Sequence, residues 1–364
     1  MTFTPDSVRA WVDVDLGALA ANARTLAALT GSRLLPMVKA NGYGLGAVAV
    51  ARALEPLEPW GFGVASAEEG AALRQAGIGR PILAVSPLLA GAMDSYLAHD
   101  IRPTIGDPVA LDAWRRRTER PFHLEIDTGM GRAGIRWNDA DALAAVAASL
   151  GDSPGWEGVF THFHSAESAP ASAVEQWERL QGVVGALPRR PELLHAANSA
   201  GALSGRRFAG DLIRPGIFLY GGMAGETLPA PVAALRTRVI AVRRLEAGDP
   251  VSYGATWRAP RPTTIATVAL GYADGFPRAT AASERHPASR LIEVNGALAP
   301  VVGRVTMDMT MVDVGDGHVS PGDVATVYGG RVSLDQQAAA AGTIAYEFLA
   351  ALGERLPRRY GRES

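Results

Sequence analysis

Cysteine is absent from the 364 residues of this chain. Its absence excludes a disulfide framework, a thiolate nucleophile and a metal site built from cysteine ligands. A strong charge of either sign is missing as well, because the formal net charge is −2 at pH 7. A nearly neutral chain offers no extended basic surface for nucleic acid or for an anionic membrane. We therefore expect neither of them as a partner.

Long apolar runs and a targeting segment are also missing. No stretch approaches the ~18 apolar residues that a membrane-spanning helix requires. Residues 1–6 contain neither the basic region nor the apolar region of a secretory signal. We therefore expect a cytoplasmic protein. Hydrophobic residues make up 48% of the chain, which is enough for a large core, and the length predicts about two domains.

Lysine occurs once, at Lys39, although lysine and arginine together number 35. The residue follows an apolar run at 34–38, which is typical of a buried parallel strand. An amine at the end of such a strand is partly desolvated, and burial favours its neutral form. A neutral lysine amine forms Schiff bases with carbonyl compounds such as pyridoxal phosphate, whereas arginine cannot lose its proton. Lys39 is therefore a candidate for a chemical role. The alternative is that arginine replaced lysine elsewhere in the chain during evolution and that Lys39 was left by chance.

Strand and helix patterns alternate through the first part of the chain. A short strand at 11–15 and a helix at 16–29 come first. The later strand patterns lie at 33–39, 60–65, 81–85, 101–105, 122–127, 156–162, 193–197 and 212–213. The helical patterns between them lie at 45–54, 67–76, 90–98, 107–117, 139–149 and 171–186. Strict alternation predicts a parallel sheet, and this number of units predicts a closed (β/α)₈ barrel of the TIM type.

The pattern changes after about residue 232. Short strand patterns separated by glycine and proline replace the helices, at 235–242, 264–270, 291–294, 298–302, 310–314 and 324–328. One helical pattern follows at 334–352. We therefore predict a barrel domain at 12–232 and a predominantly β-strand domain at 233–364, to which we assign residues 1–11.

Polar residues fall at the ends of several predicted barrel strands, where such barrels place their chemistry. They are Lys39, Asp127, His162, Asn198, Ser199 and Arg214. Since these ends share one face of a barrel, we expect one site. His162, His164 and Asp127 would also fit a metal-dependent hydrolase, but that interpretation leaves Lys39 without a role, and we expect no metal.

Nine short motifs occur along the chain. They are VKANGYG (38–44), DTGMGR (127–132), THF (161–163), HAANSA (195–200), RPGIFLYG (214–221), VSYGAT (251–256), GYADG (271–275), GRVTMD (303–308) and YE (346–347). In content and order they resemble the motifs of the bacterial alanine racemases, over nearly the whole chain. The resemblance implies a pyridoxal phosphate (PLP) cofactor, an amino acid substrate and a homodimer with shared active sites. It also implies interconversion of L-alanine and D-alanine, which supplies D-alanine for peptidoglycan.

The resemblance implies a mechanism with two bases. Lys39 would hold PLP and then act as one base, and Tyr253 of the partner subunit would act as the other. A phenol with a pKa of about 10 needs cationic or hydrogen-bonding neighbours to act as a base at neutral pH. His162 would contact the tyrosine, and Arg214 would contact His162. Arg214 would also face the pyridine nitrogen of PLP.

The same resemblance assigns the residues that hold the cofactor and the substrate. For the phosphate and its surroundings they are Tyr43, Asn198, Ser199, Gly216, Ile217 and Tyr346, with His195 as a support behind them. Arg132 would bind the substrate carboxylate in the bidentate geometry of a guanidinium. Around that carboxylate and along the entrance the resemblance places Met307, Asp308, Tyr272, Arg278 and Arg304.

Glu125 departs from the family pattern. Many members have a carbamylated lysine at this position, which pairs with the carboxylate-binding arginine. Glutamate carries the same charge on a shorter stem, so we predict that Glu125 orients Arg132 directly.

Other functions stay open at this point. A broad-specificity amino-acid racemase shares the architecture. A decarboxylase of the same fold typically places a cysteine near the reacting carbon, and this chain has none. A non-catalytic PLP-binding protein tends to be a lone barrel, without the β domain that carries Tyr253.

Overall fold

The computed structural model describes residues 8–151, 153–278 and 290–361. Predictions for residues 1–7 and for the parts of the second domain at 279–289 and 362–364 lie outside the described residues. The described chain forms two units, a parallel β/α barrel and a predominantly antiparallel β unit, so the predicted fold class is confirmed.

The elements of the first part of the chain alternate between strands and helices, as predicted. The strands are β1 (Ala10–Asp15), β2 (Arg33–Leu34), β3 (Phe62–Val64), β4 (Ile82–Pro87), β5 (Arg102–Ile105), β6 (Phe122–Asp127), β7 (Ile135–Arg136), β8 (Trp156–Phe160), β9 (Leu193–His195) and β10 (Leu212–Ile213). The helices are α1 (Leu16–Thr30), α2 (Lys39–Tyr43), α3 (Ala47–Leu54), α4 (Ala67–Gln75), α5 (Met93–Ala98), α6 (Pro108–Arg117), α7 (Ala140–Leu150), α8 (Pro170–Ala186) and α9 (Ser199–Leu203).

The parallel strands form a closed barrel. Their order is β2, β10, β9, β8, β6, β5, β4, β3, and β7 pairs with β6 beside this path. Backbone hydrogen bonds join the segment after β2 to β3: Val38 donates to Gly63 O at 2.8 Å, and Gly63 donates to Pro36 O at 2.9 Å. Every residue of β6 is buried, as expected for a strand covered by helices on one side and by the barrel interior on the other.

Strand β2 is shorter than the predicted strand at 33–39. Proline has no N–H to donate to a strand ladder, so Pro36 interrupts the regular pairing, although its carbonyl still accepts from Gly63 N. Met37 still forms an isolated bridge to Gly63, so the segment stays in the barrel wall up to Lys39. As a result, Lys39 lies at the C-terminal end of the barrel and is the first residue of α2.

The second unit is built from antiparallel strands. Its elements are β11 (Ala233–Leu245), β12 (Pro250–Val251), β13 (Trp257–Arg258), β14 (Thr263–Val268), β15 (Leu291–Val294), β16 (Ala297–Val302), β17 (Thr310–Gly315), β18 (Val324–Tyr328), α10 (Leu334–Ala340), α11 (Ala345–Ala350) and β19 (Arg358–Gly361). Among the described residues, the order β14, β17, β16, β15, β18, β11 closes on itself because β11 also pairs with β14.

Strands β1 and β19 belong to the sheet of the second unit. Strand β1 pairs antiparallel with β11 and parallel with β19, so the predicted boundary at residue 12 falls inside a strand. Strand β19 also reaches the barrel. Arg358 Nε donates to Gly44 O at 2.8 Å, and the Tyr360 hydroxyl donates to Leu45 O at 3.0 Å. The last described strand therefore contacts the segment that follows Lys39.

The helical pattern at 334–352 is two helices, α10 and α11, rather than one. Gly342 lies between them with a φ of 75°, in the left-handed region that glycine adopts without strain. The break turns α11 toward the barrel and brings Tyr346 to the cavity described below. In the described chain, no helix combines the length and the hydropathy needed to cross a bilayer.

Candidate active site

A cavity of about 350 Å³ lies at the C-terminal ends of the barrel strands. The predicted site residues that line it are Lys39, Tyr43, Glu125, Arg132, His162, Asn198, Ser199, Arg214, Gly216 and Tyr346. Met37, Ala40, Val85, Phe160 and Ala350 complete the lining. Residues from the strand ends and from α11 of the second unit thus meet in one space.

Lys39 is half-buried and begins a turn with unusual backbone geometry. The φ angles of Ala40 and Asn41 are 51° and 53°, in the left-handed region that few residues other than glycine adopt. The Glu69 carboxylate holds this turn, because its two oxygens accept the N–H groups of Ala40 and Ala65 at 2.7 Å each. The amine of Lys39 is therefore presented to the cavity by a braced segment.

The surroundings of Lys39 favour its neutral form. Burial lowers the pKa of the Lys39 amine, and the positive charge of Arg132 lowers it further. Glu69 opposes this effect, and Arg214 adds to it. Because two guanidinium groups face the cavity with the amine, a further positive charge on Lys39 is disfavoured. The shift is in the direction that makes the amine a better nucleophile.

Arg214 is almost completely buried below the cavity. Its Nη1 donates to His195 Nδ1 at 2.6 Å, and its Nη2 donates to Thr161 O at 2.6 Å and to Ala196 O at 3.0 Å. The guanidinium lies over the ring of Phe160, with 4.9 Å from Cζ to the ring centre. Burial lowers the pKa of Arg214 to about 10, so the group remains a cation at neutral pH.

His162 lines the same cavity, and in the described chain no hydrogen bond joins it to Arg214. Arg214 instead contacts the carbonyl of the preceding residue, Thr161. Burial lowers the pKa of His162 to about 3, with further contributions from the charges of Arg214, Arg132 and Lys39. The predicted contact between Arg214 and His162 is therefore an electrostatic influence in this structure, and His162 is neutral at pH 7.

Glu125 has an unsatisfied oxygen. Its side chain is buried, and its Oε2 has no hydrogen-bond partner among the described residues. Burial raises the pKa of Glu125, against the opposing charges of Arg132 and Arg214. Glu125 and Arg132 line the same cavity, but no ion pair within 4.0 Å joins them in the described chain. Direct orientation of Arg132 by Glu125 stays a prediction.

Ser199 and Gly216 form one wall of the cavity. The Ser199 hydroxyl accepts the N–H of Gly216 at 2.9 Å and of Phe218 at 3.3 Å. Because both acceptor positions of the hydroxyl are used, its own proton is available to a ligand. A side chain at Gly216 would overlap the hydroxyl of Tyr43, so glycine is required there. The N-cap of α9 is Asn198, whose side-chain oxygen accepts from Gly201 N at 2.9 Å.

Two tyrosines complete this side of the site. Tyr43 stacks on Tyr220 with 4.4 Å between ring centres, and Tyr346 lies 6.1 Å from Tyr43. Burial raises the pKa of Tyr43, and it raises the pKa of Tyr346 to about 12. Both phenols therefore keep their protons and can donate hydrogen bonds. Ile217 and His195 are fully buried behind the lining.

Apart from Tyr346, the predicted residues of the second unit do not line the cavity. Tyr253 lies between β12 and β13 and is 70% exposed, and Met307 is 52% exposed. Tyr272, Arg278 and Arg304 are exposed as well, and the half-buried Asp308 accepts from Arg355 Nη1 at 2.9 Å.

Backbone contacts place several of these residues on one surface. Tyr272 N donates to Thr306 O at 3.1 Å, and Ser252 Oγ donates to Arg304 O at 2.7 Å. This surface, formed by Tyr253, Tyr272, Arg304 and Met307, is called the tyrosine surface below.

Asp127 and His164 do not form a metal site with His162. Asp127 Oδ1 accepts the N–H groups of Gly129 and Gly131 at 3.0 Å each, which shapes the turn that leads to Arg132. Among the described residues, no group of three histidine, aspartate or glutamate side chains could hold a metal ion together. The role of Asp127 is to position this turn.

Sequence reasoning missed Glu69 and Gln176, which position two loops of the site. Gln176 is buried, donates to His162 O at 3.0 Å and accepts from His164 N at 3.1 Å. A signal was present for this residue, because Gln176 is the polar member of the buried face of α8. Glu69 lies in the first turn of α4, where acidic residues are common, and nothing in its local sequence indicated its partner.

Comparison with known proteins identifies two family domains in this chain. Residues 14–224 match the model of the alanine racemase N-terminal domain, and residues 232–360 match that of the C-terminal domain. The chain is 38% identical to an alanine racemase of Symbiobacterium thermophilum, with 97% of each chain covered.

Solved structures give the same result. An alanine racemase from a D-cycloserine-producing Streptomyces lavendulae superposes with a TM-score of 0.89 at 32% identity, covering 100% of this chain and 99% of the other. An alanine racemase from Bartonella henselae, with covalently bound pyridoxal phosphate, superposes with a TM-score of 0.89 at 29% identity, covering 97% and 100%.

Proposed function

Because the chain belongs to the alanine racemase family, we propose that it interconverts L-alanine and D-alanine with PLP as its cofactor. The observation that carries this proposal is the environment of Lys39. The only lysine of the chain opens into a cavity that also contains a buried arginine and a serine hydroxyl. A lysine with a lowered pKa is the group to which PLP attaches covalently.

The cavity offers suitable groups for both ends of the cofactor. Ser199 has a free hydroxyl proton for a phosphate oxygen, and Tyr43 and Tyr346 are protonated phenols beside it. Ile217 N, at the start of a 3₁₀ turn, has no carbonyl within its own turn to bond to. At the other end, Arg214 uses three N–H groups on His195, Thr161 and Ala196. A guanidinium has five, so donors remain for the pyridine nitrogen.

When bound, PLP supplies an electron sink that allows the α-carbon of the amino acid to lose its proton. Lys39 would take that proton, or return it, on one side of the substrate, because burial and the nearby guanidinium groups favour the neutral form of its amine. Arg214 keeps its own proton at neutral pH, since its pKa remains about 10. It would therefore hold the ring nitrogen by a hydrogen bond without protonating it.

The second base of the proposed mechanism is Tyr253 of a partner subunit in a homodimer. Racemisation needs proton transfer on both sides of the α-carbon, and Lys39 is the single amine in the lining of the cavity. Tyr253 is exposed on a tight turn and does not line the cavity of its own chain. A second subunit would bring the tyrosine surface over the open mouth of the cavity, where the neutral His162 can hydrogen-bond to the phenol.

Substrate recognition is assigned to Arg132, which is exposed at the rim of the cavity. Its planar guanidinium suits a carboxylate. Met307 and Asp308 of the partner subunit would cover the same carboxylate, and Tyr272, Arg278 and Arg304 would line the entrance. Glu125 would supply a negative charge behind Arg132.

The biological setting is also part of the proposal. D-alanine is a precursor of bacterial peptidoglycan, so the reaction would take place in the cytoplasm. In this proposal the barrel at 12–232 binds the cofactor, and the β domain at 233–364 supplies the second base. The pairing of β1 with β11 supports counting residues 10 and 11 with the β domain.

Chiral chromatography of the products tests this function. The purified protein with PLP is incubated with single L-amino acids: alanine first, then serine, lysine and arginine. We expect L-alanine to become an equal mixture of enantiomers, and Lys39→Ala to abolish the conversion. Faster conversion of a larger amino acid would instead identify a broad-specificity racemase. No conversion of any amino acid, with PLP absorption present, would identify a PLP-binding protein without this activity.

A further inference from the structure

Two histidines lie where barrel interiors usually contain branched apolar side chains. His123 in β6 and His195 in β9 are both fully buried. His123 Nδ1 and His195 Nε2 are 2.8 Å apart, and His195 Nδ1 is 2.6 Å from Arg214 Nη1. On the other side, His123 Nε2 is 3.0 Å from Glu157 Oε2. Burying polar groups of this kind is costly unless each one is hydrogen-bonded.

The four side chains form a continuous line through the barrel, here called the interior chain: Arg214, His195, His123 and Glu157. Arg214 follows β10 at the end where the cavity lies, whereas Glu157 is the second residue of β8, near the opposite end. Arg102, the first residue of β5, binds Glu157 with its Nε at 2.7 Å and its Nη2 at 3.2 Å. The interior chain thus connects an ion pair at the base of the barrel to the arginine of the cavity.

The protons of the interior chain can be assigned from its ends. Arginine only donates, so His195 Nδ1 must be the acceptor of the bond from Arg214. A neutral His195 then carries its proton on Nε2 and donates it to His123 Nδ1. His123 in turn carries its proton on Nε2 and donates it to Glu157. Every hydrogen bond therefore points away from the cavity, with both histidines in the same tautomer.

The charges agree with this direction. Burial lowers the pKa of His195 well below its ordinary value, and Arg214 adds to the effect. Burial likewise lowers the pKa of His123. Burial raises the pKa of Glu157, but the hydrogen bonds from His123 and Arg102 outweigh it and bring the pKa to about 2. Two neutral imidazoles therefore lie between a cation and a carboxylate.

We propose that Glu157 and His123 are positioning residues, which fix the tautomer of His195 and so hold Arg214 against the cofactor ring from the opposite end of the barrel. This role rests on the proposed function of the site, because Arg214 is assigned to the cofactor there. Without His123 as an acceptor, His195 could carry its proton on Nδ1 and would then no longer accept from Arg214. The guanidinium would lose one of its three anchors and turn in its pocket.

Gly158 offers a way to break the interior chain without removing any of its polar groups. A methyl group at Gly158 would lie 2.5 Å from His123 Nδ1 and 2.7 Å from its Cε1, so the ring would have to move. Gly158→Ala therefore acts first on the His123 ring, to which the three nearest atoms belong. His123→Phe is the complementary change, because it keeps an aromatic ring and removes both nitrogens.

Thr104→Val is the matched control. Thr104 is fully buried on β5, opposite His123 in the register, and its hydroxyl donates to Ala84 O at 2.8 Å. The change therefore removes a buried hydrogen bond at the same depth of the barrel, outside the interior chain. An effect that comes only from disturbing the barrel interior would appear in this variant too.

The first measurement is ¹⁵N NMR of histidine-labelled holoenzyme, which contains only seven histidines. We expect His123 and His195 as neutral rings protonated on Nε2 near neutral pH. A His195 signal protonated on Nδ1, or on both nitrogens, would overturn the proposal. This readout needs no variant and does not depend on racemase activity, so it remains decisive if the proposed function fails.

The second measurement compares the three variants. We expect Gly158→Ala and His123→Phe to lower kcat about tenfold, similar to the loss of a hydrogen-bond partner behind a ligating histidine, with KM for alanine nearly unchanged. The His195 tautomer signal and the absorption band of bound PLP should shift in both, and in Thr104→Val neither should change. Unchanged spectra and kcat in both variants, or an equal loss in Thr104→Val, would overturn the proposal.

Discussion

The two units of the molecule contribute to the candidate site in opposite ways. Barrel residues such as Lys39, Arg214 and Ser199 converge on one cavity, and hydrogen bonds hold Arg214 and Ser199 in place. The tyrosine surface of the β unit is exposed, and Tyr253, the proposed second base, does not line this cavity. The barrel therefore builds most of the cavity within one chain. Under the proposed function, the tyrosine surface of the β unit would complete the cavity of a second copy.

Lys39→Arg removes the most important group that the barrel contributes to the proposed site. Arginine keeps the positive charge and much of the length, but it cannot lose its proton, so neither attachment of PLP nor proton transfer is possible. We expect racemisation to fall by more than about a thousandfold, since one acid–base group alone contributes about 10²–10⁴-fold. Loss of the covalently bound PLP absorption band checks the cause. Appreciable racemase activity in Lys39→Arg would contradict the role of Lys39.

Tyr253→Phe removes the acid–base group that the β unit contributes to the proposed site. The hydroxyl alone is removed, and its exposure makes a folding defect unexpected. We expect a loss of racemisation of about a hundredfold or more, with PLP binding retained. A chiral assay together with the PLP absorption spectrum separates these two effects.

Mixing the two inactive variants sharpens the comparison. In a mixed dimer of Lys39→Arg and Tyr253→Phe subunits, one site receives both changes and the other receives neither. Activity should therefore reappear after the subunits exchange. If it did not reappear although mixed dimers formed, Tyr253 would not be acting in its partner's site.

Gly216→Ala tests the close packing of the cofactor wall. The added methyl would overlap the Tyr43 hydroxyl, and overpacking of this kind costs about 1–3 kcal/mol. We expect PLP affinity to fall about tenfold or more in a titration of the apoenzyme. Gly182→Ala in α8 is the control, because no atom lies within 4 Å of its added methyl. That change should leave PLP affinity unaltered and raise the free energy of unfolding by about 0.5–1 kcal/mol.

His162→Gln should have the smallest effect, on the pH dependence of stability. The pKa of His162 falls from an ordinary 6.5 to about 3 in the folded chain, so unfolding takes up a proton between these pH values. Acidification through that range therefore destabilises the wild type. We expect the variant to reduce this slope by at most about 1.4 kcal/mol per pH unit. Urea denaturation of the apoenzyme at several pH values measures it, and identical slopes would contradict the buried, neutral state of His162.

The sequence predicted the barrel, the β unit and the cavity residues because these depend on local patterns and on motifs. Hydrogen bonds between distant strands could not be predicted in the same way. The contact from Glu69 to the turn after Lys39 and the line from Arg214 to Glu157 join residues whose local sequence carries no sign of their partners. The hydrogen bond from Arg214 to Thr161 O is of the same kind, whereas the contact from Arg214 to His162 stays a prediction.

The contacts of strand β19 form late in the synthesis of the chain. Arg358 is bound to Gly44, 314 residues earlier in the chain. A ribosome adds about 5–20 residues per second, so a nascent chain contains the barrel strands well before it contains this contact. Until then the loop after Lys39 lacks the two bonds from Arg358 and Tyr360. We therefore expect cofactor capture to follow translation of the β unit rather than to accompany translation of the barrel.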